Sequence, residues 1–414
     1  MTARPMRTTS LEWLTEIPAD WEERDLGREA WVRARLGWKG LTADEYVDYG
    51  MPMLATPDIK TPHIAYHAAN RISTARYDES PEIKLRNGDV LLTKDGSTIG
   101  TVNIVRRLPE PATVNGSIAV LTPTTDLDGR FLYWFIASGY AQATFERLRG
   151  GMGVPHLFQR DINRIRLPFP PHGEQRLIAD YLDRETAQID ELVVEQRRLI
   201  ALLAERRRSV LDEITSEAVG DLVKLKYLFA PSSEANFPEE EVLSVYRDYG
   251  VISKSSRDDN FNRTPENVAR YLLVRPGDLV VNRMKAWQGS LGISSHRGIV
   301  SGDYEVARPL SDRLHPRFAH LFLRSPKMIG EYAIRSTGIR PFQWRLYWDQ
   351  MGEILVPVPP SDAQEKLVER LEVQIAGIDA LLAEAERLIE LGTERRSALI
   401  TAAVTGQIDV RSVA

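Results

Sequence analysis

The stretch PFPPHGEQRLIADYLDRETAQIDELV, residues 168–193, returns 189 residues later as PVPPSDAQEKLVERLEVQIAGIDALL, residues 357–382. Gln175, Leu182, Ile189, Asp190 and Leu192 fall on Gln364, Leu371, Ile378, Asp379 and Leu381 without a gap. Such a repeat constrains the fold more than any composition figure, because both copies must form the same unit. Proline biases the residue before it away from the helical region, so each Pro-Pro ends an extended segment and a long helix follows. His172 and Ser361 fall near the N-caps, and only Ser361 is a favoured capping type.

The repeat extends upstream of both helices. LRNGDVLLTKDGSTIG (85–100) parallels LVRPGDLVVNRMKAWQGSLG (273–292), each with a Gly-Asp turn, an apolar strand-like run and a polar loop. GSIAVLTP (116–123) parallels GDYEVARP (302–309), and GRFLYWFIAS parallels PRFAHLFLRS. GVPHLFQRDINRIRLPFPP (153–171) parallels GIRPFQWRLYWDQMGEILVPVPP (338–360). The expected class is mixed α/β, in the order first domain 1–170, spacer helix 171–216, second domain 217–358, second helix 359–410.

Both helices carry an apolar seam on one heptad phase. It reads Ile178, Leu182, Ile189, Leu192, Leu199, Leu203 and Val210 in the first, and Leu367, Leu371, Ile378, Leu381, Leu388 and Leu399 in the second. Matching seams are satisfied most simply by each other, as a coiled coil. The first helix leaves domain one for domain two and the second starts from domain two, so the pair is predicted antiparallel, with a pseudo-twofold repeat. Forty residues of helix span roughly 60 Å.

Composition narrows the function. The net charge of −5 excludes a uniformly basic coat but not local basic surfaces. Arg270 to Arg345 holds 13 Lys and Arg against 5 Asp and Glu, and Arg147 to Arg166 holds 5 against 1. The chain has no cysteine, which removes disulfides, thiolate zinc sites and cysteine nucleophiles. Neither a signal peptide nor an 18-residue uncharged apolar run is read, and the cytoplasm is the expected compartment.

Two similar domains on a stiff spacer form a ruler, and duplex DNA offers sites at fixed separation, about 34 Å per turn. Similar but unequal domains would read unequal half-sites. In domain two, NRMKAWQGS offers Asn282, Arg283, Lys285, Trp287 and Gln288, and RSTGIRPFQWR offers Arg335, Thr337, Arg340, Gln343 and Arg345. Domain one offers Lys94, Ser97 and Thr98, then Arg149, His156, Gln159 and Arg160, with Gly150, Gly151 and Gly153 among them. Arg can bond guanine twice, Asn or Gln adenine, while Lys and Thr suit phosphates. Trp344 and Trp348 read as core.

Catalytic signatures are nearly absent. There is no GxxxxGKS or GxxxxGKT phosphate loop, no HExxH, and neither FPPH nor VPPS is the Asp/Asn-Pro-Pro-aromatic motif of adenine methyltransferases. Pro57-Asp58 with Glu82-Ile83-Lys84 formally matches the PD…ExK pattern of metal-dependent nucleases, but the second repeat does not reproduce it. A nuclease and a two-domain coiled-coil scaffold that grips proteins are the alternatives to a DNA reader.

These residues resemble the specificity subunits of type I restriction–modification systems over almost the whole chain. The resemblance rests on IPADWEERDLG, on GDVLLTKDGS with GDLVVNRMKAW, and on the two Pro-Pro helices followed by ERRRS and ERRSALITAAVTG. It implies a chain with no catalytic residues and no metal of its own. Two target-recognition domains would read an asymmetric bipartite site in double-stranded DNA. The helices would set the gap and help bind two adenine-N6 methyltransferase subunits, which carry S-adenosylmethionine. A separate restriction subunit would use ATP and Mg²⁺ to translocate and cleave DNA.

Overall fold

The computed structural model describes residues 4–35, 42–150, 155–247, 249–256, 264–265, 267–338 and 343–412. The chain divides into two compact units, Met1–Glu195 with Leu388–Ala414, and Gln196–Arg387. The long helices run His172–Glu217 and Ser361–Val404, so each unit holds a segment of both.

Each unit is built on a four-stranded antiparallel sheet of one order. In unit 1 it runs Ala30–Arg33, Ile118–Pro123, Val90–Thr93, Val102–Ile104. In unit 2 it runs Phe229–Pro231, Tyr304–Pro309, Leu279–Asn282, Leu291–Ile293. The extended segment before each proline pair joins a separate ribbon: Arg166–Phe169 pairs with Glu22–Asp25, and Leu355–Val358 with Asp221–Lys224. The strands after the Gly-Asp turns lack apolar–polar alternation because both their faces are covered. Val90 and Leu92 enter one core and Leu91 another; Leu279 and Val281 enter one core and Val280 another.

The Gly-Asp turns have the same construction twice. Gly88 and Gly277 take φ of 88° and 93°, a region that favours glycine. The next residue is a buried aspartate whose Oδ2 accepts the N–H three positions back, Arg86 to Asp89 and Arg275 to Asp278, at 2.8 Å in both.

The long helices are anchored by a repeated glutamine. Gln175 is buried, accepts Asp128 N–H at 2.7 Å, and donates to the Asp126 and Pro170 carbonyls at 3.0 and 2.9 Å. Gln364 is buried too, accepts His315 N–H at 2.8 Å, and donates to the Arg313 and Pro359 carbonyls at 2.9 and 2.7 Å. Each thereby ties its helix start to the loop before the helix Gly129–Ala137 or Pro316–Leu323.

Within each unit the long-helix segments are antiparallel. In unit 1 Arg396 bonds Asp190 at 2.9 Å, and Ile400, Ala403 and Val404 share a core with Ile178, Ala179 and Leu182. In unit 2 Arg207 bonds Asp379 at 2.8 Å and Arg370 bonds Glu217 at 2.6 Å. Of the residues read as the seam, Leu182, Leu371 and Ile378 are buried, and Ile189 and Leu388 are half-buried. The reading needs correcting at Leu192, Leu199 and Leu381, which are exposed at 42, 39 and 55%. Each has an apolar C-terminal neighbour, Val193, Ile200 or Leu382, and only one of two adjacent residues, 100° apart around the axis, can face inward. The half-buried member is the second in all three pairs.

The units differ beyond the shared frame. Unit 1 adds a three-stranded sheet of Arg71–Ile72, Met51–Leu54 and Thr113–Val114. Unit 2 instead has the pairs Leu243–Tyr246 with Gly250–Ser253 and Leu272–Val274 with Gly298–Val300. Among the described residues no helix is long and apolar enough to cross a membrane.

Candidate nucleic-acid interface

The loop after each Gly-Asp strand meets a hairpin some 55 residues further on, through matching backbone hydrogen bonds. In unit 1 Leu157 N–H donates to the Lys94 carbonyl and Lys94 N–H to the Ser117 carbonyl, both at 2.8 Å. In unit 2 Leu346 N–H donates to the Arg283 carbonyl at 2.9 Å and Arg283 N–H to the Asp303 carbonyl at 3.2 Å. The hairpin is closed by an antiparallel bridge, Gly150 with His156 in one unit and Thr337 with Arg345 in the other. Lys94 therefore corresponds to Arg283, and His156 to Arg345. Sequence reading put these residues in separate clusters; the frame brings them together.

The side chains on the two frames differ. In unit 1 Lys94 is buried and its Nζ donates to Asp95 Oδ2 at 2.9 Å, while Asp95 Oδ1 faces His156 Nδ1. His156 lies edge-on to Phe158, centroids 4.6 Å apart, and the Arg160 guanidinium lies 5.0 Å from the Phe158 ring. Gln159 donates to the Val32 carbonyl at 2.6 Å, a tie to the sheet edge. Ser97 is exposed, Thr98 is half-buried with its carbonyl accepting from Thr101, and Arg149 pairs with Glu146. Gly151 and Gly153 lie outside the described residues.

In unit 2 Arg283 turns back to the Asp303 and Gly302 carbonyls and lies 4.0 Å from Glu305. Burial pushes the Glu305 carboxyl above its usual range, and the Arg283 charge offsets part of that. Asn282 Oδ1 accepts Met284 N–H at 3.1 Å and so shapes the loop. Lys285 and Gln288 are exposed beside it, as is Gln343 on the hairpin. Arg335 bonds Glu331 and Arg345 lies 3.9 Å from Asp303. Arg340 lies outside the described residues.

Trp344, read as core, instead stands half-buried on the hairpin, edge-on to Trp287 at 5.6 Å, so this aromatic pair helps seat hairpin on loop. Trp348 does pack against the unit 2 core. Sequence reading passed over Asp95, Phe158 and Asp303; an acid between Lys94 and Ser97, inside a polar loop, was the available signal for the first.

The residues of the nuclease-like pattern are engaged elsewhere. Asp58 accepts Ala55 N–H at 2.7 Å, and Lys84 bonds Asp78 at 2.5 Å over the Tyr77 ring. Among the described residues no group of three or more His, Cys, Asp or Glu could hold a metal ion.

Residues 37–198 match the type I restriction modification DNA specificity domain. The chain is 22% identical over 398 residues to the EcoBI specificity subunit of Escherichia coli, covering 87% of this chain and 80% of that one. It is 19% identical over 396 residues to the EcoKI specificity subunit of Escherichia coli (strain K12), covering 84% and 83%. A chain from a structure describing complex assembly and conformational transition of the type I R-M system superposes with a TM-score of 0.72 at 14% identity, covering 95% of this chain and 99% of that one. The HsdS subunit from Thermoanaerobacter tengcongensis gives 0.55 at 16% identity, covering 97% and 100%. The doubled frame is thus a shared fold, the type I restriction modification DNA specificity domain spans the first frame, and the chain is similar over most of its length to specificity subunits of type I restriction enzymes.

Proposed function

We propose that each unit reads one half of an asymmetric, two-part site in duplex DNA through its loop and hairpin, and that the long helices set the unread gap. The observation that carries this reading is one backbone frame built twice with different side chains, Lys94, Asp95 and His156 against Arg283, Met284 and Arg345. A common frame delivers both halves to a groove in the same way, and divergent side chains make the halves unlike. Specificity subunits recognise DNA without catalysing; the chemistry here belongs to two adenine-N6 methyltransferase subunits docked on the helices, with S-adenosylmethionine bound there. ATP and Mg²⁺ act on a restriction subunit where one is encoded, and the assembly works on cytoplasmic DNA. With a net charge of −5, much of the grip on phosphates comes from those subunits.

The test is a strand-resolved adenine-methylation map of host DNA with the gene intact and deleted. Loss of one two-part motif with a fixed gap supports the reading; a map that stays blank even when the methyltransferase is co-expressed overturns it. A protein-gripping scaffold would bind its target without the steep salt dependence that phosphate contacts impose.

A further inference from the structure

His156 and Arg345 hold the same place in the two frames, yet their surroundings give them opposite hydrogen-bonding character. Asp95 takes Lys94 Nζ on one carboxylate oxygen and faces His156 Nδ1 with the other. An ionised carboxylate only accepts, so Nδ1 carries the ring proton. In the neutral imidazole Nε2 is then a lone-pair acceptor. Phe158 against the ring edge fixes its plane, the side chain is 31% exposed, and Nε2 has no hydrogen-bond partner among the described residues. Arg345 can only donate; its side chain is 40% exposed and its acid neighbour, Asp303, stands 3.9 Å away.

In the major groove an acceptor matches the exocyclic amino group of adenine or cytosine, and a guanidinium matches O6 and N7 of guanine. We propose that His156 Nε2 accepts from a base amino group in one half-site while Arg345 donates to a guanine in the other. One position of the frame thus reads opposite chemistry in the two halves, with Asp95 as the positioning residue that sets the histidine tautomer. This rests on the DNA-reading function proposed above and names what two of its residues read.

The test uses the full chain bound to its methyltransferase subunits and a duplex carrying the motif from the methylation map. Amino groups are deleted singly, purine replacing adenine and 2-pyrimidinone replacing cytosine, and guanines are replaced singly by 7-deazaguanine. One amino deletion should weaken binding about tenfold and cost nothing further in His156→Ala. His156→Gln, which keeps an acceptor on a side chain of similar length, should restore the sensitivity. One 7-deazaguanine in the other half-site should weaken binding about tenfold and cost nothing further in Arg345→Ala. If every modification costs the variants as much as the parent, the proposed readers are wrong. Binding of a non-specific duplex at low salt separates lost reading from lost folding, and His156→Gln carries the comparison should the alanine variant fail that control. A parent complex with no sequence preference would overturn the DNA-reading function itself, and shows before any base is altered.

Discussion

Asp89 and Asp278 begin equivalent strands, yet their charges are balanced differently. Asp89 is fully buried and pairs with the buried Arg33 at 2.7 Å, whose other nitrogen bonds the Glu82 and Lys84 carbonyls. Asp278 instead has Arg308 at 3.9 Å, and burial pushes its carboxyl up despite the Arg275 N–H and the Arg308 and Arg275 charges. Removing one member of a buried pair leaves an uncompensated charge, so Asp89→Asn should destabilise unit 1 by about 3 kcal/mol or more. Asp278→Asn keeps the acceptor for Arg275 N–H and relieves part of the burial cost, so unit 2 should change by less than about 1 kcal/mol. Urea unfolding followed by hydrogen exchange in each unit checks both; equal losses would refute the distinction. His320 gives unit 2 a pH dependence of its own. Its Nδ1 faces the Ile293 carbonyl, its Nε2 faces Arg324, and burial with the Arg324 charge lowers its pKa from 6.5 to about 4. Because the folded value lies below the unfolded one, the unfolded state binds more protons between those values, and stability falls as pH drops from 6.5 toward 4. The loss should reach about 3 kcal/mol. In His320→Asn the fall over that window should shrink; a curve as steep as the parent's would assign the acid sensitivity elsewhere.

At the scale of elements, repetition made the long helices and their start points legible, since Pro-Pro followed by a spaced apolar pattern leaves few other solutions. What the pattern left open was which of two adjacent apolar residues turns inward, and the answer at Val193, Ile200 and Leu382 depends on what each helix packs against. The repeated glutamines were visible as a match without a role. Their role is to bond three backbone groups each, the proline carbonyl just before the long helix and two groups in the loop before the neighbouring helix. Gln175→Ala should therefore destabilise unit 1 by about 3 kcal/mol, and Gln364→Ala unit 2 by a similar amount. Early loss of amide protection at Asp128 and along the first turns after His172 would be the signature; unchanged protection there would count against the anchor. The loop–hairpin frames were beyond sequence reading for a different reason. Their pairing is backbone to backbone, Leu157 to Lys94 and Leu346 to Arg283, and carries no side-chain signature.

For the whole molecule, the sequence repeat and the function meet in helix length. Both long helices keep one heptad phase, with Gln175, Leu182 and Ile189 in the first equivalent to Gln364, Leu371 and Ile378 in the second. A seam of period seven tolerates an inserted heptad, because the inward-facing positions return to phase, but not an insertion of five, which turns every following residue away from the seam. On the proposed reading the gap between half-sites scales with helix length. Seven residues added to both helices, between Gln196 and Leu203 and between Ala385 and Gly392, lengthen each by about 10 Å, the rise of about three base pairs. The methylation map of cells carrying that chain should keep both half-site sequences and widen the unread gap by about three positions. Five residues added at the same places should abolish methylation at any gap. An unchanged gap in the heptad variant would mean that something other than helix length, such as the methyltransferase subunits, fixes the distance, and the role of the long helices would then reduce to docking.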